Sequence, residues 1–245
     1  MSEPLILSVE TATLAGSIAL SRGSQVLATR VGKPEVSHSN TLLSEIDEIL
    51  SGQALSVQNI DLFAVASGPG SFTGLRIGIA TVKALATTLD RFCIGIPTLE
   101  AIAYSAGVSN ATVALLPAGR GEVFVQMFSI SDEAVTALDQ AQHLSPTRAI
   151  NKYIGRAGIR WAGDGARLYS RLIDESSRNA GYRFMVADNE ILDSPSDAWI
   201  ITLPATTLAE HVGSLAATRA REGLAQTAHN LKAIYVRPSD AEMKV

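Results

Sequence analysis

Three short apolar runs open the chain, LILSVE at residues 5–10, GSIALSR at 16–22 and QVLATRV at 25–31. The links between them are brief and contain Gly16 and Gly23, which predicts an antiparallel meander. The period then changes. From His38 to Leu50 the apolar positions Leu42, Leu43, Ile46, Ile49 and Leu50 fall on one helical face, with Glu45, Asp47 and Glu48 outside it. LFAVAS (62–67) and FCIGI (92–96) are continuously apolar, as strands buried on both faces are. A helix at about 74–89 separates them.

This order of three strands, helix, strand, helix, strand describes a mixed sheet whose later strands are parallel and joined by right-handed crossovers. It is the order of a ribonuclease-H-like or actin-like half-domain. Beyond Pro97 the pattern predicts a helix at 98–107, strands at 111–116 and 122–130, a helix at 145–154 with Ser145 as N-cap and Pro146 at its first position, and a strand at 159–163. A last helix starts near Pro204. The lobe boundary is set near residue 100. This gives a first lobe of 1–100 and a degenerate second lobe of 101–245, whose last helix is a candidate to pack back on the first.

The helix after Gly74 is apolar around most of its circumference. Arg76, Ala80, Lys83 and Thr87 form one polar stripe, and Leu75, Ile77, Ile79, Val82, Ala84, Leu85, Ala86 and Leu89 cover the rest. A helix lying on a sheet needs only about 100° of apolar surface. A second apolar body therefore covers this one, either a partner or the chain's own second lobe.

Composition narrows the classes. Of 245 residues 47% are hydrophobic and 18% charged, a globular balance, and the net charge of −4 argues against a surface that is a nucleic-acid binder throughout. One cysteine, Cys93, excludes an internal disulfide framework and points to a reducing compartment. The N-terminus has no basic leader region and no run approaches the length of a membrane span, so a soluble cytoplasmic protein is expected.

Candidate chemistry centres on ASGPGSFTGLRIG, 66–78. A P-loop would need GxxxxGK[ST], and both the spacing and the lysine are missing. What remains is a strand, a Gly-Pro-Gly reversal and a helix capped by Ser71 or Thr73, and such a turn serves either tight reversal or an anion at the helix N-terminus. None of the four histidines, His38, His143, His211 and His229, lies four residues from another, so neither an HxxxH pair nor HExxH can be assembled. Ser71 has no glycine two residues after it, which removes the hydrolase elbow. Cys93 sits in a buried-looking strand.

ILSVETAT, HSNTLLSEIDEIL and above all VASGPGSFTGLRIGIATVKALA resemble the bacterial TsaB family. The likeness is dense from residue 5 to about 105 and thins to GEVF (121–124) and IYVRPSDA (234–241). The resemblance implies an actin-like ATPase (ASKHA) fold of two lobes, each with a mixed sheet and flanking helices. It also implies a non-catalytic subunit of the machinery that installs threonylcarbamoyl on the adenosine next to the anticodon in tRNAs reading ANN codons. Such a subunit binds the catalytic paralogue TsaD through its first two helices, TsaE joins them, and several members self-associate. On this basis Leu42, Ile46, Leu75, Ile79, Val82 and Ala86 are the candidate partner interface. No intrinsic cofactor or metal is implied; ATP and a metal are used by the partner subunits. Glu10 stands where the family carries aspartate, and Pro117 and Gly119 replace an aspartate and an arginine, which weakens intrinsic nucleotide chemistry. The alternative is an ATP-dependent phosphotransferase or ATPase of the actin and sugar-kinase type.

The second half contributes one more candidate. Between Ser145 and Arg183 there are eight basic residues, Arg148, Lys152, Arg156, Arg160, Arg167, Arg171, Arg178 and Arg183, against three acids. A basic patch for tRNA held mainly by the partner is one reading, with Arg148, Lys152 and Arg156 as its contacts; arginines dispersed over separate faces are the other.

Overall fold

A computed structural model describes residues 3–33, 38–132, 134–187 and 195–236. The chain divides into two compact units, Met1–Ala101 with Thr206–Tyr235, and Ile102–Ala205 with the residues from Val236. The lobes are therefore not contiguous stretches split at residue 100: the chain crosses to the second unit and returns.

The first unit is built on β1 (Leu5–Glu10), β2 (Ser17–Arg22), β3 (Gln25–Val31), α1 (His38–Ser51), β4 (Leu62–Gly68), α2 (Phe72–Thr88) and β5 (Phe92–Pro97). Its five strands lie in the order β3-β2-β1-β4-β5. The first three form the expected antiparallel meander, and β4 and β5 run parallel to β1. All six residues of β1 are buried, and because successive side chains point to opposite faces, both faces of the strand are covered. Leu5, Leu7 and Val9 join Leu42, Ile46 and Ile49 of α1 and Ile79, Val82 and Ala86 of α2 in one core. On the opposite face Ser8 stands against Gly213 of α7 (Leu208–Arg221), whose Cα approaches so closely that a Cβ there would lie 2.7 Å from the serine hydroxyl. That last helix starts four residues later than the sequence pattern implied. It packs across the sheet, and Ser17 Oγ accepts its Ala209 N–H at 3.0 Å.

Between the two passages through the first unit lie α3 (Thr98–Ser105), β6 (Ser109–Gly119), β7 (Glu122–Ile130), β8 (Val135–Ala137), β9 (Gln142–Leu144), α4 (Pro146–Asn151), β10 (Arg160–Ala162), α5 (Asp164–Leu168), α6 (Ser170–Asn179), β11 (Arg183–Ala187) and β12 (Ala198–Thr202). The second unit's sheet has the order β11-β12-β10-β6-β7-β8, with β9 also on β7. Here β6–β7 is a long antiparallel pair and β10, β11 and β12 are parallel. The core is aromatic. Trp161 and Trp199 are fully buried with ring centroids 5.1 Å apart, flanked by Tyr153 and Tyr182. Trp199 Nε1 donates to the Arg156 carbonyl at 2.8 Å, which meets the need of a buried indole.

Among the described residues no helix is long and apolar enough to cross a membrane.

Candidate partner-binding surface

The glycine turn resolves first. Ser71 is the N-cap of α2 and its hydroxyl accepts the Gly74 N–H at 3.2 Å. Gly74 and Gly78, four residues apart, share one face of α2, and with Gly70 just before the cap they lie on the β1–β2 turn. A Cβ at Gly70 would stand 2.6 Å from the Ala12 carbonyl oxygen, one at Gly74 1.9 Å from the Thr11 carbonyl oxygen, and one at Gly78 2.3 Å from Thr11 Oγ1. Two bonds close the seam: Ser71 N–H donates to the Ala12 carbonyl at 2.8 Å, and Thr11 Oγ1 donates to the Gly74 carbonyl at 2.8 Å. The glycines thus let α2 dock on the turn. Their four-residue spacing is present in the sequence and marks this packing.

Glu10, at the end of β1, is buried. One of its oxygens accepts the Thr13 N–H at 2.7 Å and the other the Thr13 hydroxyl at 2.8 Å, with Ser17 Oγ at 3.5 Å. An actin-like ATPase fold implies a nucleotide and its metal, and the residues of this turn do not fit that group. The carboxylate is engaged by Thr13 and Ser17 of the turn itself, and the glycine faces at the start of α2 are covered by Thr11 and Ala12.

The six expected interface residues are brought together, but inward. Leu42, Ile46, Leu75, Ile79, Val82 and Ala86 are all buried, Ile79 the most accessible at 8% and Val82 at 0%. The reason is that α2 has three covers within its own unit: the sheet, α1, and the returning chain at 228–231, where Ala228 and Leu231 enter the same core. Lys83, placed on the polar stripe from sequence, bends to this strap and donates to the Leu231 carbonyl at 3.2 Å. The second apolar body inferred from the girth of α2 is thus α1 and the strap. What the helices expose is different: Leu43, Ser44, Asp47 and Glu48 on α1, and Phe72, Thr73, Arg76, Ala80 and Ala84 on α2. Arg30 of β3 is paired with Glu48.

The basic stretch of the second unit is broken up. Arg160 is buried and donates to the Ala106 carbonyl, and burial pushes its guanidinium pKa down. Arg178 is bidentate on Asp174 and Arg183 on Asp197. Lys152 pairs with Asp139 at 2.7 Å, and the same carboxylate accepts the Tyr153 hydroxyl at 2.7 Å and the Met127 N–H at 2.8 Å. Burial and this anion push the Tyr153 phenol above its ordinary range. Arg148 and Arg156 remain exposed. Lys152 and Arg156 line one open cleft of about 290 Å³ with Met127, Leu138, Asp139, Tyr153 and Gly155.

His143 stands beside Glu122 at 3.0 Å and His211 beside Glu210 at 3.4 Å, where burial holds its imidazole below the usual range. The His38 side chain and residues 237–241 of the closing IYVRPSDA stretch lie outside the described set. Among the described residues no three His, Cys, Asp or Glu side chains gather as a metal site. Cys93 is buried, which pushes its thiol up.

Known proteins resemble this chain over most of its length. The family model described as TsaD, tRNA N6-adenosine threonylcarbamoyltransferase, matches residues 33–186. The tRNA threonylcarbamoyladenosine biosynthesis protein TsaB of Escherichia coli K12 is 26% identical over 245 residues, covering 98% of this chain and 97% of that one. Its Haemophilus influenzae counterpart is 30% identical over 190 residues, 72% of this chain and 78% of that one. Among solved structures, YeaZ from Pseudomonas aeruginosa superposes with a TM-score of 0.71 at 23% identity, covering 96% of this chain and 100% of that one. The fold is the expected actin-like one, with two units each carrying a mixed sheet and flanking helices.

Proposed function

Since the chain belongs to the TsaB family and so to tRNA threonylcarbamoyladenosine biosynthesis, we propose that it serves there as a non-catalytic subunit that binds and activates the TsaD-type transferase. The observation that carries this reading is the filled turn: Glu10 is consumed by Thr13, and Gly70, Gly74 and Gly78 are packed against Thr11 and Ala12. The unit keeps the shape of an ATPase lobe while its loop is committed to internal structure. ATP and metal then belong to the partner subunits, the TsaE-type ATPase joins the pair, and tRNA is met through the assembly in the cytoplasm. Protease chemistry has no support, because no serine elbow or histidine pair is present. The exposed strip of α1 and α2, Leu43 with Ala80 and Ala84, is the surface on offer to the partner or to a second copy of the chain.

Co-purification with the TsaD paralogue from the same cell, followed by reconstitution of tRNA modification with and without the chain, tests the proposal. A stable pair and modification that depends on the chain are expected. Steady magnesium-dependent ATP turnover by the isolated chain would overturn it.

A further inference from the structure

Three distant stretches of the first unit are held together at the start of α2, and each leaves a large apolar side chain in solvent. Leu14 in the β1–β2 turn is 75% exposed, Phe72 37%, Ile234 39% and Tyr235 49%. The Phe72 and Tyr235 rings meet with centroids 5.5 Å apart. The Arg76 guanidinium lies over the other ring system's partner, Phe72, at 3.9 Å from its centroid. Backbone bonds fix all three segments: Ser71 N–H to the Ala12 carbonyl at 2.8 Å, and Ile234 N–H to the Ser67 carbonyl at 2.7 Å. Single exposed apolar residues are ordinary on any protein. Phe72, Ile234 and Tyr235, drawn from chain positions about 160 residues apart and joined by a ring contact and a main-chain bond, form a preorganised patch.

Its chemistry is specific. Aromatic and arginine side chains dominate the energetic centres of protein interfaces, and preorganisation lowers the entropy lost on docking. The whole of α2 carries Arg76 and Lys83 and no acidic residue, and Lys83 is turned inward to the strap. Among the described residues no carboxylate forms an ion pair with Arg76. A cation stacked on an aromatic ring, at the positive end of a helix, complements an anion flanked by apolar side chains.

Resting on the subunit reading above, the geometry points to Phe72, Arg76, Ile234 and Tyr235 as a docking patch for an acidic, apolar-flanked segment of the TsaD-type partner. This adds the C-terminal strap to the contact surface of the first unit.

The test uses the full chain and its purified TsaD paralogue, with affinity measured across a salt series for wild type, Arg76→Met and Tyr235→Ala, folding being checked by circular dichroism. Expected are a loosening of about thirtyfold for Tyr235→Ala and a weaker, less salt-dependent association for Arg76→Met. Wild-type affinity and salt slope in both variants overturn the patch and leave the subunit reading standing. Loss in Arg76→Met with an unchanged salt slope overturns the acidic character of the occupant. A wild-type chain that forms no pair overturns both readings together. Self-association of wild type abolished by Tyr235→Ala, with paralogue binding unchanged, gives the patch to a second copy and also overturns the assignment.

Discussion

Gly74 approaches Thr11 so closely that a Cβ on the glycine would lie 1.9 Å from the threonine carbonyl oxygen. That oxygen belongs to the backbone and cannot swing aside. Gly74→Ala should therefore push α2 off the β1–β2 turn and lower stability by about 3 kcal/mol, the upper range for overpacking. Gly155→Ala has nothing within 4 Å of its Cβ position and should stay within about 0.5 kcal/mol of wild type. Urea midpoints of the two variants check the contrast.

Arg219 Nη2 of α7 donates to both Glu100 carboxylate oxygens, at 2.6 and 2.8 Å, and Nη1 donates to the Gly95 carbonyl at 3.2 Å. Burial holds the Glu100 carboxyl above its ordinary value, and Arg219 offsets part of that rise. Because the folded state binds the Glu100 proton more tightly, its stabilising effect is full below the ordinary carboxyl value of about 4.3 and is lost as pH rises through the raised one. Arg219→Met removes the offset and raises the carboxyl further. The variant should lose about 3 kcal/mol near neutrality, less at pH 4, and denaturation curves at several pH values measure the difference.

Ile79 and Val82 were expected to face a partner and are instead inside the core. Val82→Asp should unfold the first unit, since an unpaired buried carboxylate costs several kcal/mol. Ala84→Glu, on the exposed strip, should leave the thermal midpoint within a few degrees of wild type and abolish co-purification with the TsaD paralogue. Loss of secondary structure in Ala84→Glu, or intact folding of Val82→Asp, would contradict the assignment of faces.

Neutralising Arg148, Lys152 and Arg156 together has a smaller expected effect on tRNA than the net charge of the stretch suggested. Lys152 is already paired with Asp139. Two exposed cations remain to meet phosphates, so the salt slope of tRNA binding by the assembled complex should fall by at most about two. Filter binding at several salt concentrations reads it.

Much of the first unit was legible because its central strands are apolar runs and α1 shows a clean helical period; QVLATRV matches β3 end to end, as EVFVQMFSI does β7 in the second unit. The second unit was read less well. AWIIT of β12 is only five residues long and follows a polar stretch, and β11 offers no alternation to mark it. Local pattern also identifies an apolar face without saying what covers it. Leu42 and Val82 meet a core completed by Leu231, about 150 residues beyond Val82 and further still from Leu42, and no window of the sequence spans that distance. Charge misled for a related reason: Asp139 and Asp197, which neutralise Lys152 and Arg183, lie just outside the stretch whose balance was counted.

The return of residues 206–235 to the first unit sets an order of assembly during synthesis. A ribosome releases β1 through β5 first, yet the sheet cannot acquire α7 on one face or Ala228 and Leu231 on the other until nearly the whole chain has emerged. Translation at about 5–20 residues per second leaves that half-built sheet exposed for roughly 7–27 s. Through this interval the edge of β5, later bonded at Cys93 to Gln226, stands open to stray strands. The intervening unit, whose β6–β12 sheet is contiguous in sequence, is complete earlier. A released chain truncated shortly after residue 205 should thus carry a protease-resistant second unit behind an unfinished, chaperone-dependent first one.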